Sequence, residues 1–189
     1  MKKVKNILFV ILITPTLFLM FSFSAGGGSV ASNKRFEKGN PASANTKTEF
    51  NAGEEIYVCI PLAKHIEKDP RIKLEIDGKE AFMQDNLAYE SEQKLDYYAF
   101  ALAIDPKNHN PEQYFYKEGK YRAILRELSK MTPGKHKITF SVAIASYGNF
   151  DNKIALTITA DQAGLDKWKG WEAELDKMDI TYKEKLAKE

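Results

Sequence analysis

Three histidines, one cysteine and a scatter of acidic residues are the groups in this 189-residue chain able to carry acid–base, nucleophilic or metal chemistry. His65, His109 and His136 lie far apart and in unlike settings, and no pair has the short spacing of zinc ligands, so only the fold could assemble a metal site. No metal and no cofactor is expected. His136, at the start of an alternating run, is expected to pack or hydrogen-bond at a sheet edge. Cys59 sits in Glu55-Ile56-Tyr57-Val58-Cys59-Ile60, an apolar run ending at Pro61. A single cysteine cannot close an internal disulfide, and the setting predicts a buried thiol acting as a small hydrophobe. A nucleophile would need a histidine beside it, and His65 is the nearest in sequence. The chain has no Gly-rich phosphate loop, nucleophile elbow or Ser/His/Asp pattern. Glu54, Glu55, Glu90 and Glu92 fall in polar turns, where solvation accounts for them, and nothing favours a glycosidase-type carboxylate pair. No catalytic residue is predicted, and the chain is not expected to be an enzyme.

The aromatic residues point instead to recognition. Tyr89, Tyr97, Tyr114, Phe115, Tyr116 and Tyr121 crowd the middle of the chain, and Trp168 and Trp171 lie near its end. Flat amphipathic rings offer apolar contact with a polar edge, which suits sugars and peptides. The candidate binding residues are therefore Tyr114, Tyr116, Trp168 and Trp171. Core packing around a helix is the competing account of the same rings.

The elements that must position these groups are mostly strands. After Pro133-Gly134, the run from Lys135 to Ser146 alternates: Ile138, Phe140, Val142 and Ile144 on one face, Thr139, Ser141, Ala143 and Ala145 on the other. Successive strand residues face opposite sides, so this run has one bulky apolar face and one small face. Asp96 to Asp105 repeats the design, with Tyr98, Phe100, Leu102 and Ile104 opposite Ala99, Ala101 and Ala103. Small faces permit close approach by a covering layer, so both strands are expected in one sheet beneath a helix. Further strands are predicted at Thr46–Phe50, Glu55–Ile60, Arg71–Asp77 and Lys153–Thr159, with a hairpin through Asp77-Gly78. Tyr121, Ile124, Leu125, Leu128 and Met131 recur at helical spacing opposite Arg122, Arg126 and Lys130, predicting a helix from Lys120 to Met131 that stops before Pro133. Leu165, Trp168, Trp171, Leu175, Met178, Tyr182 and Leu186 predict a second, C-terminal helix, with Asp179-Ile180-Thr181 as a candidate break.

Lys2, Lys3 and Lys5 precede a 17-residue apolar run, Ile7 to Phe23, followed by small residues. This is the pattern of a secretory signal peptide, with cleavage expected after Ala31 and, as the alternative, after Ser24. An uncleaved anchor is the competing account, since the run just reaches spanning length, but Thr14-Pro15-Thr16 in its middle favours processing. No cysteine follows the run to accept a bacterial lipid anchor. The chain holds 28 basic and 26 acidic residues; without the three leader lysines the balance is 25 to 26, a net charge of −1. Nothing in that balance argues for nucleic acid or an anionic membrane surface. From Asp161 onward, six lysines and eight acids give −2, which argues against a membrane-surface helix. The expected organisation is a signal peptide at 1–31, a flexible lead-in at 32–45, a β domain at 46–160 and a helical tail at 161–189.

Leu128-Ser129-Lys130-Met131-Thr132-Pro133-Gly134-Lys135-His136-Lys137-Ile138-Thr139-Phe140 resembles the crossover into a late strand of immunoglobulin-like and fibronectin type III-like domains. Asn51-Ala52-Gly53-Glu54-Glu55-Ile56-Tyr57-Val58 is similar to an early hairpin of such domains. The chain departs from their pattern in its helix before the crossover and in lacking a Cys-Trp-Cys core. The resemblance implies a mainly β, antiparallel immunoglobulin-like β-sandwich with an inserted helix and a C-terminal amphipathic helix. It also implies a binding or structural module. The function expected is an exported, non-catalytic module, periplasmic or extracellular, that recognises a protein partner or a glycan. The alternative is a structural subunit of a cell-envelope complex docking through the C-terminal helix, and a hydrolase comes third.

Overall fold

The computed structural model describes residues 28–36, 46–62, 71–84, 97–108, 120–143 and 148–188. Tyr114, Tyr116, His65, His109, Glu90, Glu92 and the leader up to residue 27 lie outside the described residues. The described residues form eight strands, β1 (Val30–Ser32), β2 (Glu49–Asn51), β3 (Ile56–Pro61), β4 (Arg71–Ile76), β5 (Lys79–Gln84), β6 (Tyr97–Ala103), β7 (Gly134–Ala143) and β8 (Asn152–Ala160). Among the same residues two α-helices accompany them, α1 (Lys120–Ser129) and α2 (Gln162–Leu186), with a short 3-10 turn at Pro106–Asn108. The protein is mainly β, with two sheets and a C-terminal helix. No helix among the described residues is long and apolar enough to cross a membrane.

The smaller sheet has the order β1-β3-β6 and is antiparallel throughout. The larger has the order β2-β8-β7-β4-β5, and its β2 runs parallel to β8 while the other pairs are antiparallel. The two alternating strands therefore part company: β6 belongs to the smaller sheet and β7 to the larger, which corrects the expectation of a shared sheet. Their bulky faces still meet. Phe100 of β6 stacks on Phe140 of β7 at 5.3 Å between ring centroids, so the apolar faces close a core between sheets. Alternation states which residues share a face, but two strands with matching faces pack equally well side by side or face to face.

Ile56, Val58, Ile60, Ile72, Leu74, Leu102, Ile138, Phe140, Val142 and Ile158 are all fully buried in one continuous core. The apolar face of α1 (Tyr121, Ile124, Leu125 and Leu128) joins it, and this helix packs on β6, β5 and α2. Arg122 and Arg126, opposite the apolar stripe of α1, meet the acids of α2. Arg122 Nη1 lies 2.9 Å from both Asp176 Oδ1 and Asp179 Oδ2, and Arg126 Nε lies 2.6 Å from Glu172 Oε1. Tyr121 donates its hydroxyl to buried Asp179 at 3.1 Å. That buried triangle lies within a continuous α2, which passes through the candidate break at 179–181.

The C-terminal tail is part of the domain. Asp161 caps α2 by accepting from Gly164 N at 2.7 Å, satisfying one of the helix's orphan donors. Leu165, Trp168, Trp171 and Leu175 are buried in the shared core. At the other end of the chain, the boundary placed after Ala31 runs through β1, and the lead-in expected at 32–45 contributes Ser32 to that strand and Phe36 to the core.

Candidate functional site

An open groove of about 450 Å³ lies over the first residues of β7, bounded by Lys135, His136 and Lys137, by Ala155, Leu156 and Thr157 of β8, and by Thr48 and Asp77. Its geometry starts from a turn. Asp77 and Gly78 join β4 to β5 as a two-residue loop between the paired Ile76 and Lys79. Both adopt positive φ, 52° and 78°, the hairpin geometry for which Asp-Gly is a preferred pair. The turn delivers Asp77 one rung beyond the last β4–β7 pair, Ile76 and Ile138. There its amide donates to the Lys137 carbonyl at 2.8 Å, and its carboxylate accepts from Lys137 N at 2.9 Å and engages His136 Nδ1 at 2.7 Å.

His136 Nε2 meets the Thr132 carbonyl oxygen at 2.8 Å. A carbonyl only accepts, and an ionised carboxylate only accepts, so both ring nitrogens must be donors and the ring is an imidazolium. Partial burial alone would lower the His136 pKa, but the hydrogen bonds to Asp77 and to Thr132 outweigh it and raise the value above the ordinary one. The same contact with His136, reinforced by Lys137 N, holds the Asp77 carboxyl below the usual carboxylate range. A histidine with both nitrogens committed offers no lone pair to a metal and no base to a nucleophile. Its role here is to clamp the 77–78 turn to the start of β7 while adding positive charge to the groove wall.

The groups left to face a ligand are ammonium and hydroxyl donors. Thr157 pairs across the sheet with Lys137 on one side and Glu49 on the other, so the three form a row. Lys137 makes no ion pair among the described residues, and Lys135 reaches only Glu49, at 3.7 Å between two exposed side chains. Such an exposed pair is worth little and yields readily to a better anion. The arrangement suits recognition of a ligand that carries anionic groups and accepts hydrogen bonds.

The residues expected to bind fare differently. Trp168 is fully buried and donates its indole N–H to the Glu54 carbonyl at 3.0 Å. Trp171 is also buried, with Lys167 Nζ 4.8 Å from its ring centroid. Both are buried among the core residues, so the packing account applies to them. Their spacing on α2 signalled this, since it continued the apolar stripe of Leu165 and Leu175. Tyr114 and Tyr116 lie outside the described residues. Cys59 is buried, and burial pushes its thiol up to about 11, as expected of a packing residue. Glu55 is not idle in solvent: it accepts from Tyr57 Oη, Asp105 N and Asn108 Nδ2 at 2.8, 3.0 and 3.0 Å, tying β3 to the turn after β6. Glu54 pairs with Lys47 and with Asn51, and these contacts prevail over partial burial to lower its pKa. Among the described residues no three potential ligands gather around a common point for a metal. The groove itself was half visible in the sequence, as Asp77-Gly78 and Lys135-His136-Lys137, but nothing in their 57-residue separation joins them.

No family model and no curated protein matches the chain. Among solved structures it is similar to the crystal structure of the CARDB domain of the PF1109 protein from Pyrococcus furiosus, in complex with di-metal ions. The identity is 9%, the TM-score 0.29, and the match covers 60% of this chain and 84% of that one. The solution structure of the same domain matches at 10% identity and TM-score 0.29, covering 61% and 88%. Likeness at that level carries no argument about this chain's topology or chemistry.

Proposed function

We propose that the protein is an exported, non-catalytic binding module of immunoglobulin-like architecture, periplasmic or extracellular, which recognises the anionic groups of a protein partner or glycan in the groove over β7 and β8. The observation that carries this reading is the imidazolium of His136, held between Asp77 and Thr132. It withholds the only histidine among the described residues from acid–base work, while Lys135, Lys137, Thr48 and Thr157 present donors to the open side. Peptide and glycan arrays probed with the chain are expected to show binding to carboxylate-bearing ligands that weakens with added salt. Each of Lys135→Ala and Lys137→Ala should weaken it about tenfold, the scale of one charged hydrogen bond. Loss in a Tyr114→Ala/Tyr116→Ala variant, with the lysine variants unaffected, moves the site to those tyrosines. Binding unaffected by both sets removes the groove and the tyrosines together.

The second reading, a structural subunit of a cell-envelope complex docking through α2, rests on the last turns of that helix. Ile180 and Leu186 are 56% and 45% exposed there, beyond the stretch that packs on the core. Under this reading Ile180→Asp with Leu186→Asp abolishes co-purification of an envelope complex and leaves array binding intact.

A further inference from the structure

The export reading leaves open where the leader ends, and β1 decides between the two small-residue positions. Its register is Val30 with Cys59, Ala31 with Val58 and Ser32 with Tyr57, along the edge of β3 not covered by β6. Ala31 is 1% exposed and Ser32 fully buried. The Ala31 carbonyl also accepts from Lys47 N at 2.8 Å, and Ser32 Oγ accepts from Lys34 N at 3.0 Å. Cleavage after Ala31 would remove two of the three β1 pairs and the acceptor for Lys47. It would also create a charged α-ammonium on Ser32, a residue that the intact fold buries completely. A buried polar or charged group without a partner is costly, and so is an apolar strand edge left uncovered.

Cleavage after Ser24 has neither consequence. The mature chain would then begin Ala25-Gly26-Gly27-Gly28-Ser29. Gly28 is exposed, with nothing within 4 Å of where a Cβ would stand, so the chain reaches β1 from open solvent. Ser22 and Ser24 supply the small residues at −3 and −1 that a signal peptidase requires. We propose that the leader is removed after Ser24, so that the mature protein begins at Ala25 and carries β1 whole. This rests on the export reading and specifies its processing site.

The test is N-terminal sequencing and intact mass of the protein recovered from an exporting host that expresses the full chain with its own leader. Three forms are compared: wild type, Ser24→Leu and Ala31→Leu. The expected result is a wild-type N-terminus at Ala25, with that same cleavage retained in Ala31→Leu and lost in Ser24→Leu. A wild-type N-terminus at Ser32 overturns the inference and leaves export standing. A chain that keeps Met1 in the membrane fraction overturns both. As a further check, the chain starting at Ala25 should melt higher than one starting at Ser32 by roughly 5 °C or more, given about 2–4 °C per kcal/mol at this size. Equal melting temperatures would remove β1 as the reason for the choice.

Discussion

At the scale of single residues, the device most sensitive to pH is the fork around His136. Its stability contribution depends on two titrations of opposite sign. The folded-state pKa of His136 is raised above 6.5, so the histidine's share is fully present below about pH 6.5 and fades as pH rises through the raised value. The Asp77 pKa is lowered from 3.8, so its share is fully present above about pH 4 and fades as pH falls through the lowered value. The clamp is therefore complete between these limits. Thermal unfolding followed from pH 5.5 to 9 should show wild type losing more stability on the alkaline side than Asp77→Asn, whose asparagine tolerates the same positive φ. Parallel curves for the two proteins would show that the histidine's charge contributes nothing.

At the scale of elements, the seat of α2 depends on a glycine. Gly164 lies in the first turn of the helix against the turn between β2 and β3, and a Cβ there would stand 2.3 Å from the Ala52 carbonyl oxygen and 2.6 Å from its carbon. Helix propensity alone favours Gly164→Ala by about 1 kcal/mol. The clash is with backbone, which cannot rotate away, and overpacking of this kind costs roughly 1–3 kcal/mol or more. The substitution is therefore expected to destabilise, by up to about 2 kcal/mol net in urea denaturation. Neutral or increased stability would mean that α2 is not seated on that turn. Gly170, with open space around its Cβ position, is the internal control: Gly170→Ala should gain what propensity alone gives.

At the scale of the whole molecule, the helical segment from Asp161 packs into the core of the β domain. α2 brings Leu165, Trp168, Trp171 and Leu175 into the core formed by both sheets and α1, and losing one large buried aromatic costs about 3–5 kcal/mol. Typical stabilities are only about 5–15 kcal/mol. A chain ending at Ala160 should therefore show no cooperative thermal transition and should expose apolar surface to a hydrophobic dye. A folded truncation with a sharp transition would restore the tail as an appendage. Docking through α2 must accordingly use only the turns from Ile180 onward.

The sequence by itself determined most of the elements. Period-2 and period-3.6 patterns placed β3, β4, β8, α1 and α2 near their observed limits, because burying one face is a local demand that each segment meets in its own residue types. Asp77-Gly78 declared its turn for the same reason, since positive φ is a property of the residues that must adopt it. Cys59 read as a packing residue from its apolar neighbours alone. What only the tertiary structure decided was partnership. Identical alternation left β6 and β7 free to share a sheet or to face each other, and the core chose the second. The helical spacing of Trp168 and Trp171 favoured a core, and α2 folding back on the sheets decided it. Val30-Ala31-Ser32 was too short to show a strand pattern, and it is a strand only because β3 offers it an edge. The groove is the extreme case: Asp77 and His136 meet across 59 positions of sequence through the pairing of β4 with β7. Long-range pairing depends on which surfaces remain uncovered once every other element is placed, and no local pattern encodes that.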